Sequence, residues 1–236
     1  MSNVTIVTGG SRGIGAATAR LCGEHGHAVC VAYRSEAELA NAVVADIEKA
    51  GSKAIAVQAD TAVEADIMRM FDTAAESLGP ITGLVNNAGI HGPRGRLEAL
   101  GADDIAAVLQ VNVAGYFLCA REAVRRMSTT HGGAGGAIVN ISSGSANIGS
   151  AGEGILYAAS KGAVNSLTIG LAQEVAAEGI RVNTVSPGLT VPGMPPQDKV
   201  DEIAPKLPMG RAGRPEEIAE AIFWLLSDKA SYTSAA

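Results

Sequence analysis

Thr8-Gly9-Gly10-Ser11-Arg12-Gly13-Ile14-Gly15 follows the apolar run Val4 to Thr8 and opens a stretch with helical periodicity, so glycines 9, 13 and 15 stand between a strand and a helix. In that context glycines let backbone approach a phosphate, while the amides and the dipole at a helix start favour an anion. The spacing differs from G-x-G-x-x-G, and the absence of a Gly-Lys-Ser/Thr ending excludes a P-loop. The alternation continues downstream. Val4 to Thr8, Ala28 to Ala32, Ala54 to Ala59, Gly83 to Asn86, Ala137 to Ile141 and Arg181 to Val185 read as strands. Stretches near 14–25, 36–50, 63–78, 103–129, 156–178 and 215–227 read as helices. Nearly continuous apolar strands suit a parallel sheet covered on both faces, and the βαβ alternation makes it an α/β, doubly wound sheet. No linker, repeat or low-complexity tract marks a second domain, so residues 1–236 are expected to form one.

At 236 residues the chain has the length of a single α/β domain. A net charge of -6 and scattered arginines leave no electrostatic footprint for nucleic acid. Cys22, Cys30 and Cys119 lack metal-ligand spacing and sit among apolar residues, which predicts buried, reduced thiols. The histidines at 25, 27, 91 and 131 form no metal motif, and His25 and His27 are expected in a surface turn. Mean hydropathy is +0.20, much of it from Ala and Gly. No uncharged apolar run approaches the ~20 residues of a membrane span, and nothing at Met1 resembles a signal peptide, so a cytoplasmic location is expected.

Tyr157-Ala158-Ala159-Ser160-Lys161 puts a phenol and an ammonium on one helix face, where the cation can stabilise a phenolate and bring the tyrosine toward physiological pH. Read with the glycine loop, Asn86-Asn87-Ala88-Gly89, Asn112, Ser142-Ser143 and Pro187-Gly188, all in the same order, the chain resembles the short-chain dehydrogenase/reductase family from residue 3 to about residue 228. The glycines match that family's TGxxxGxG variant. The resemblance implies a Rossmann-type sheet and an oxidoreductase moving hydride between a nicotinamide and a carbonyl or secondary alcohol.

For the cofactor, the resemblance implies contacts from Gly9, Ser11, Arg12, Gly13, Ile14 and Gly15, from Asp60 and Thr61 toward the adenine, and from Asn87, Ala88 and Gly89 beside the ribose. Tyr33-Arg34-Ser35 ends the second strand with no carboxylate before Glu36, where an enzyme preferring NAD places an acidic residue. Arg34 can pair with a 2′-phosphate and Ser35 can donate to it; Arg12 matches a second basic position of NADP-preferring relatives. NADPH is therefore the expected cofactor, with NAD as the alternative. After Pro187-Gly188, relatives commonly carry a carboxamide-binding threonine where this chain has Pro192, so Thr190 is expected to take over.

The same resemblance assigns Tyr157 as proton donor, Ser143 as second donor to the carbonyl oxygen, Lys161 as the group that lowers the tyrosine pKa and bonds the nicotinamide ribose, and Asn112 as holder of a relay water. Ser143 lies fourteen residues before Tyr157, one more than in many relatives, and Ser142 and Ser145 stay as substitutes. His91, Gly149, Glu153 and Met194 are expected to line the substrate pocket, His91 as a wall rather than a second base. The helices near 103–129 and 156–178 are apolar nearly all round, which with the resemblance implies a homodimer or homotetramer through them. The partner is a small-molecule carbonyl or alcohol, with no nucleic acid, membrane or metal. Relatives begin one more apolar strand where Ser231-Tyr232-Thr233-Ser234-Ala235-Ala236 ends this chain, and that strand is expected to pair with the one at Arg181 to Val185. A catalytically silent, NADP-binding regulatory or structural subunit is the rival reading, which loss of Tyr157 or Lys161 would have favoured.

Overall fold

Strand residues two apart point to the same face of a sheet, and in this chain both sets are apolar, so each strand needs cover on two sides. A computed structural model, describing residues 3–191 and 197–236, shows how this is met. Strands β1 (Val4–Val7), β2 (Ala28–Tyr33), β3 (Ala54–Gln58), β4 (Ile81–Asn86), β5 (Gly136–Ile141) and β6 (Ile180–Val185) form one sheet in the order β3-β2-β1-β4-β5-β6. All pairings are parallel. The helices are α1 (Gly13–Glu24), α2 (Ala37–Lys49), α3 (Glu64–Leu78), α4 (Ala102–Leu109), α5 (Gly115–Met127), α6 (Ser145–Ile148), α7 (Ile155–Val175), α8 (Gln197–Ile203) and α9 (Pro215–Leu226). This is a single α/β domain with a Rossmann-type sheet.

Ile6, Cys30, Leu84 and Ile138 turn to one face, against Ile67 and Phe71 of α3, Cys119 and Met127 of α5 and Val175 of α7. Their neighbours Val7, Val29, Val31, Val85 and Val139 turn to the other, against Ala19 of α1, Val43 and Ile47 of α2 and Ile222 of α9. Burial pushes all three thiols up to about 12, which keeps them protonated and unreactive. The chain order reverses between β1 and β4, which opens a crevice at the carboxyl ends of these strands.

The helix expected over 103–129 is two helices. Between α4 and α5 the residues Gln110–Ala114 form one π turn, with the Gly115 amide bonded to Gln110 O. Tertiary bonds account for it: the Asn112 side chain is drawn to the backbone of Ile90, and Gly115 packs so closely on residue 61 that an added Cβ would lie 2.7 Å from Thr61 O. Such π turns occur frequently at functional sites.

His27 also departs from expectation. It is 7% exposed and its Nδ1 lies 2.9 Å from Thr5 Oγ1, at the amino ends of β1 and β2, while His25 alone lies on the surface, stacked on Phe223. Burial, with a smaller contribution from His25, holds the His27 pKa below its ordinary 6.5. The native state then takes up fewer protons than the unfolded chain, so this contribution to stability is complete above the unfolded value and is lost as pH falls below it. Urea midpoints measured at about pH 7.5 and about pH 5 should fall further in the wild type than in His27→Asn; an equal fall would remove His27 from the account.

Residues 234–236 lie along the outer edge of β6, where the further strand was expected: Ala235 N–H donates to Val182 O at 2.8 Å and Thr184 N–H to Ala236 O at 2.7 Å. Among the described residues no helix is long and apolar enough to cross a membrane.

Candidate active site

Thr8 ties the ends of β1 and β4 together. Its Oγ1 accepts from the amides of Asn87 at 2.9 Å and Ala88 at 3.0 Å, and Asn87 Nδ2 donates back to Thr8 O at 2.9 Å and Gly9 O at 3.1 Å. Thr8 stands in the sequence simply as the start of the glycine loop, and the signal for this tie is a hydroxyl residue closing an apolar strand. Gly9 and Gly13 have φ of +61° and +55°, in the left-handed region. A Cβ at Gly15 would sit 2.3 Å from Gly9 O and 2.5 Å from Asn87 Nδ2, so this turn closes only without a side chain. The first-turn amides of α1 lack intrahelical partners and face the same crevice, and Arg12 at the N-cap makes no side-chain cap. Half-buried Ser11 and Ile14 complete a cradle whose small residues and donors fit a dinucleotide pyrophosphate. Gly15→Ala should therefore weaken binding of a nicotinamide dinucleotide by about fivefold or more, the overpacking cost being about 1–3 kcal/mol; unchanged affinity by titration calorimetry would contradict this packing.

Tyr33 is half-buried at the end of β2, with Arg34 and Ser35 exposed beyond it. Among the described residues neither Arg12 nor Arg34 is in an ion pair, and both are exposed. Asp60 forms a turn: its Oδ1 accepts from Ala62 N–H at 2.9 Å and its own amide donates to Asp66 Oδ2 at 3.0 Å, with Thr61 buried beside it. Of the Asp60 carboxylate, one oxygen is thus taken by local backbone. Ala88 and Gly89 are half-buried, and a Cβ at Gly89 would lie 3.3 Å from Asn112 Oδ1 and 3.6 Å from Lys161 Nζ.

Ser143, Tyr157, Lys161 and Asn112 converge at the ends of β4 and β5. The Ser143 side chain faces the Tyr157 phenol closely enough to lower its pKa, while Ser142 Oγ donates to Lys161 O and Ser145 contributes a backbone N–H to Ser143 Oγ. Of the three serines, Ser143 is the one that faces the tyrosine. Lys161 is 2% exposed, and its Nζ donates to Ile141 O at 2.7 Å and to Tyr116 Oη at 3.0 Å. Burial pushes its pKa down to about 7.

One expectation changes here. The Tyr157 pKa is raised rather than lowered, because burial outweighs the influence of Ser143, and two of the three Lys161 donors go to Tyr116 and Ile141. The Asn112 side chain is held by protein groups: Nδ2 donates to Ile90 O at 2.8 Å and Ser160 Oγ at 3.0 Å, and Oδ1 accepts from Ile90 N–H at 2.8 Å. Both donors are spent on joining the β4 loop to α7, since Ser160 Oγ donates in turn to Tyr157 O.

His91 stacks on Tyr157 with ring centroids 4.9 Å apart, and Gly154 makes room for it, a Cβ there lying 2.9 Å from the imidazole. Burial lowers the His91 pKa, favouring the neutral ring. Glu153 pairs with Arg94 at 3.3 Å, and Gly149 ends α6 with a φ of +74°. Met194 and Pro192 lie outside the described residues. Pro187 O accepts from Gly144 N–H at 3.0 Å, which holds exposed Gly188 beside the Ser143 turn. Thr190 is buried and donates to Gly188 O at 3.1 Å, so toward a nicotinamide it offers oxygen lone pairs.

Comparison with known proteins agrees with this geometry. A family model described as enoyl-(acyl carrier protein) reductase matches residues 9–236. An uncharacterized oxidoreductase of Escherichia coli (strain K12), YgfF, is 49% identical over 98% of this chain and 95% of its own. Cis-4-hydroxycyclohexanecarboxylate dehydrogenase of Sinomonas cyclohexanicum is 42% identical over 97% of this chain and 91% of its own. Among solved structures, a short-chain dehydrogenase of Burkholderia cenocepacia J2315 in complex with NADP superposes with a TM-score of 0.91 at 37% identity, covering 99% of this chain and 94% of that one. The sheet order, the glycine cradle and these full-length likenesses together make the chain a member of the short-chain dehydrogenase/reductase family, and an oxidoreductase.

Proposed function

We propose that the protein is an NADPH-dependent carbonyl reductase, or the same enzyme run as a secondary alcohol dehydrogenase, with Tyr157 as its general acid and base. The observation that carries this reading is the Ser143 side chain set against the Tyr157 phenol, with buried Lys161 beside them, its Nζ 5.8 Å from the Tyr157 ring centroid. Bound NADPH supplies the hydride. Gly9, Gly13, Gly15 and the α1 amides hold the pyrophosphate, Asn87, Ala88 and Gly89 line the ribose, and Arg12, Arg34 and Ser35 take the 2′-phosphate. Tyr33, Asp60 and Thr61 surround the adenine; Pro187, Gly188 and Thr190 border the nicotinamide.

Reduction develops negative charge on the substrate oxygen, which needs two donors converging on it. Ser143 supplies a hydrogen bond and Tyr157 delivers the proton. The raised Tyr157 pKa keeps the phenol protonated at neutral pH, which suits an acid. In alcohol oxidation the phenolate must form, and the protonated ammonium of Lys161 stabilises it. His91, Gly149 and Glu153 form the pocket wall. A screen of ketones and secondary alcohols with both cofactors, followed by absorbance of the reduced nicotinamide, tests this; NADPH binding with no turnover across the panel would favour a silent subunit. Exposed Phe117 on α5 and Ile169 on α7, at 51% and 49% exposure, support a homo-oligomer through these helices. Light scattering should show a smaller particle for Phe117→Asp combined with Ile169→Asp, and an unchanged mass would place the interface elsewhere.

A further inference from the structure

Four residues past Asn112, on a helix where apolar spacing reads simply as core, stands a tyrosine. Tyr116 is 2% exposed, yet its ring alone would fill the same space as a phenylalanine. A hydroxyl taken that far from water needs partners. Here it has two: Tyr116 Oη donates to Ile141 O at 3.1 Å and accepts from Lys161 Nζ at 3.0 Å, while Lys161 Nζ also donates to Ile141 O at 2.7 Å. The ammonium, the phenol and the carbonyl that ends β5 thus close a triangle. The Tyr116 ring adds to it, with its centroid 4.7 Å from Nζ, within reach of a cation–π attraction. Asn86 Nδ2, which also bonds Asn140, donates to Tyr116 O at 3.3 Å and fixes the backbone that carries the ring.

We propose that Tyr116 is a positioning residue for Lys161: its hydroxyl and the Ile141 carbonyl engage two of the three ammonium donors and leave the third for the crevice. The inference rests on the reading of Lys161 given above. The titratable groups facing Nζ are Tyr157 on its own helix and Tyr116 on α5, with Cys119 one turn beyond Tyr116. Both tyrosines have raised pKa values and the Cys119 thiol is at about 12, so none of the three offers a negative charge at neutral pH. With no carboxylate in this set, the hydrogen bonds to Tyr116 and Ile141 and the two aromatic faces are what stabilise the charged form against burial. Removing the hydroxyl therefore disfavours the ammonium. The loss of one hydrogen bond to a charged group corresponds to about one pH unit, or an about tenfold smaller ratio of protonated to neutral lysine.

The test uses the full chain without cofactor, labelled with isotopic lysine, and follows the Lys161 Cε signal by NMR as pH is varied, the signal being identified by its loss in Lys161→Met. In Tyr116→Phe the midpoint should fall by about one pH unit, with the matching limb of the pH profile of kcat/KM moving in the same direction. A Lys161 midpoint that stays put overturns the proposal. A midpoint that falls while the kinetic limb does not supports Tyr116 as the positioning residue and instead defeats the reading of Lys161 as part of the reaction. Should Tyr116→Phe fail to fold, wild-type protein carrying fluorotyrosine gives the same decision. The Tyr116 fluorine signal, identified by replacing the other tyrosines with Phe, should shift through the Lys161 titration, and a flat signal there overturns the proposal.

Discussion

Tyr157→Phe is expected to lower kcat for carbonyl reduction by ~10² or more while leaving NADPH affinity close to that of the wild type, the usual loss on deleting a positioned acid. The substitution removes one oxygen, the one that faces Ser143, and keeps the ring that stacks on His91. The backbone carbonyl of residue 157, which accepts from Ser160 Oγ at 2.7 Å, is untouched, so the link through Ser160 to Asn112 and the β4 loop survives. None of the residues in the glycine cradle contacts that oxygen. Stopped-flow turnover with parallel NADPH titration separates the two effects. A kcat within a few fold of wild type would show that the proton comes from elsewhere.

Arg34→Asp is expected to erase or reverse a preference for NADPH over NADH. A hydrogen bond between a guanidinium and a phosphate is worth about 1.5–3 kcal/mol, hence about one to two powers of ten in kcat/KM. An aspartate there would also repel the 2′-phosphate while accepting from the ribose hydroxyls of NAD. Arg34 is well placed for this comparison, being exposed and outside any ion pair among the described residues, so its loss leaves no buried charge behind. The ratio of kcat/KM values for the two cofactors, in wild type and variant, is the measurement. A wild-type enzyme that prefers NADH would contradict the reading of Tyr33-Arg34-Ser35.

The sheet and most helices could be read from residues because their signals are local. A run such as Ala28 to Ala32 is apolar on both faces, and the glycines at 9, 13 and 15 stand at one strand-to-helix turn, so periodicity and spacing carry the information. What the sequence hid depends on contacts between distant segments. The π turn at Gln110–Ala114 follows from bonds between Asn112 and Ile90, twenty-two residues apart. The burial of His27 follows from its bond to Thr5 across two parallel strands, where a Gly26-His27 dipeptide reads as a turn. Ser143 is expected from the resemblance with Ser142 and Ser145 left open, and spacing alone does not carry what the structure adds, that Ser142 Oγ turns to Lys161 O while Ser143 faces Tyr157. The Lys161 environment is the largest gap: four-residue spacing puts ammonium and phenol on one face, but how deeply the lysine is buried, and hence its pKa near 7, is set by α5 and β5.

The central claim is that this chain itself moves hydride to a carbonyl carbon. It is tested most directly by incubating wild-type protein with NADPH deuterated at the transferring position of the nicotinamide C4 and a ketone found in the screen, then analysing the product by mass spectrometry. The account predicts one deuterium at the carbinol carbon for each NADPH consumed, with incorporation over the same interval lower by ~10² or more in Tyr157→Phe. Bound NADPH that returns unchanged, or an alcohol product without deuterium at that carbon, would contradict it.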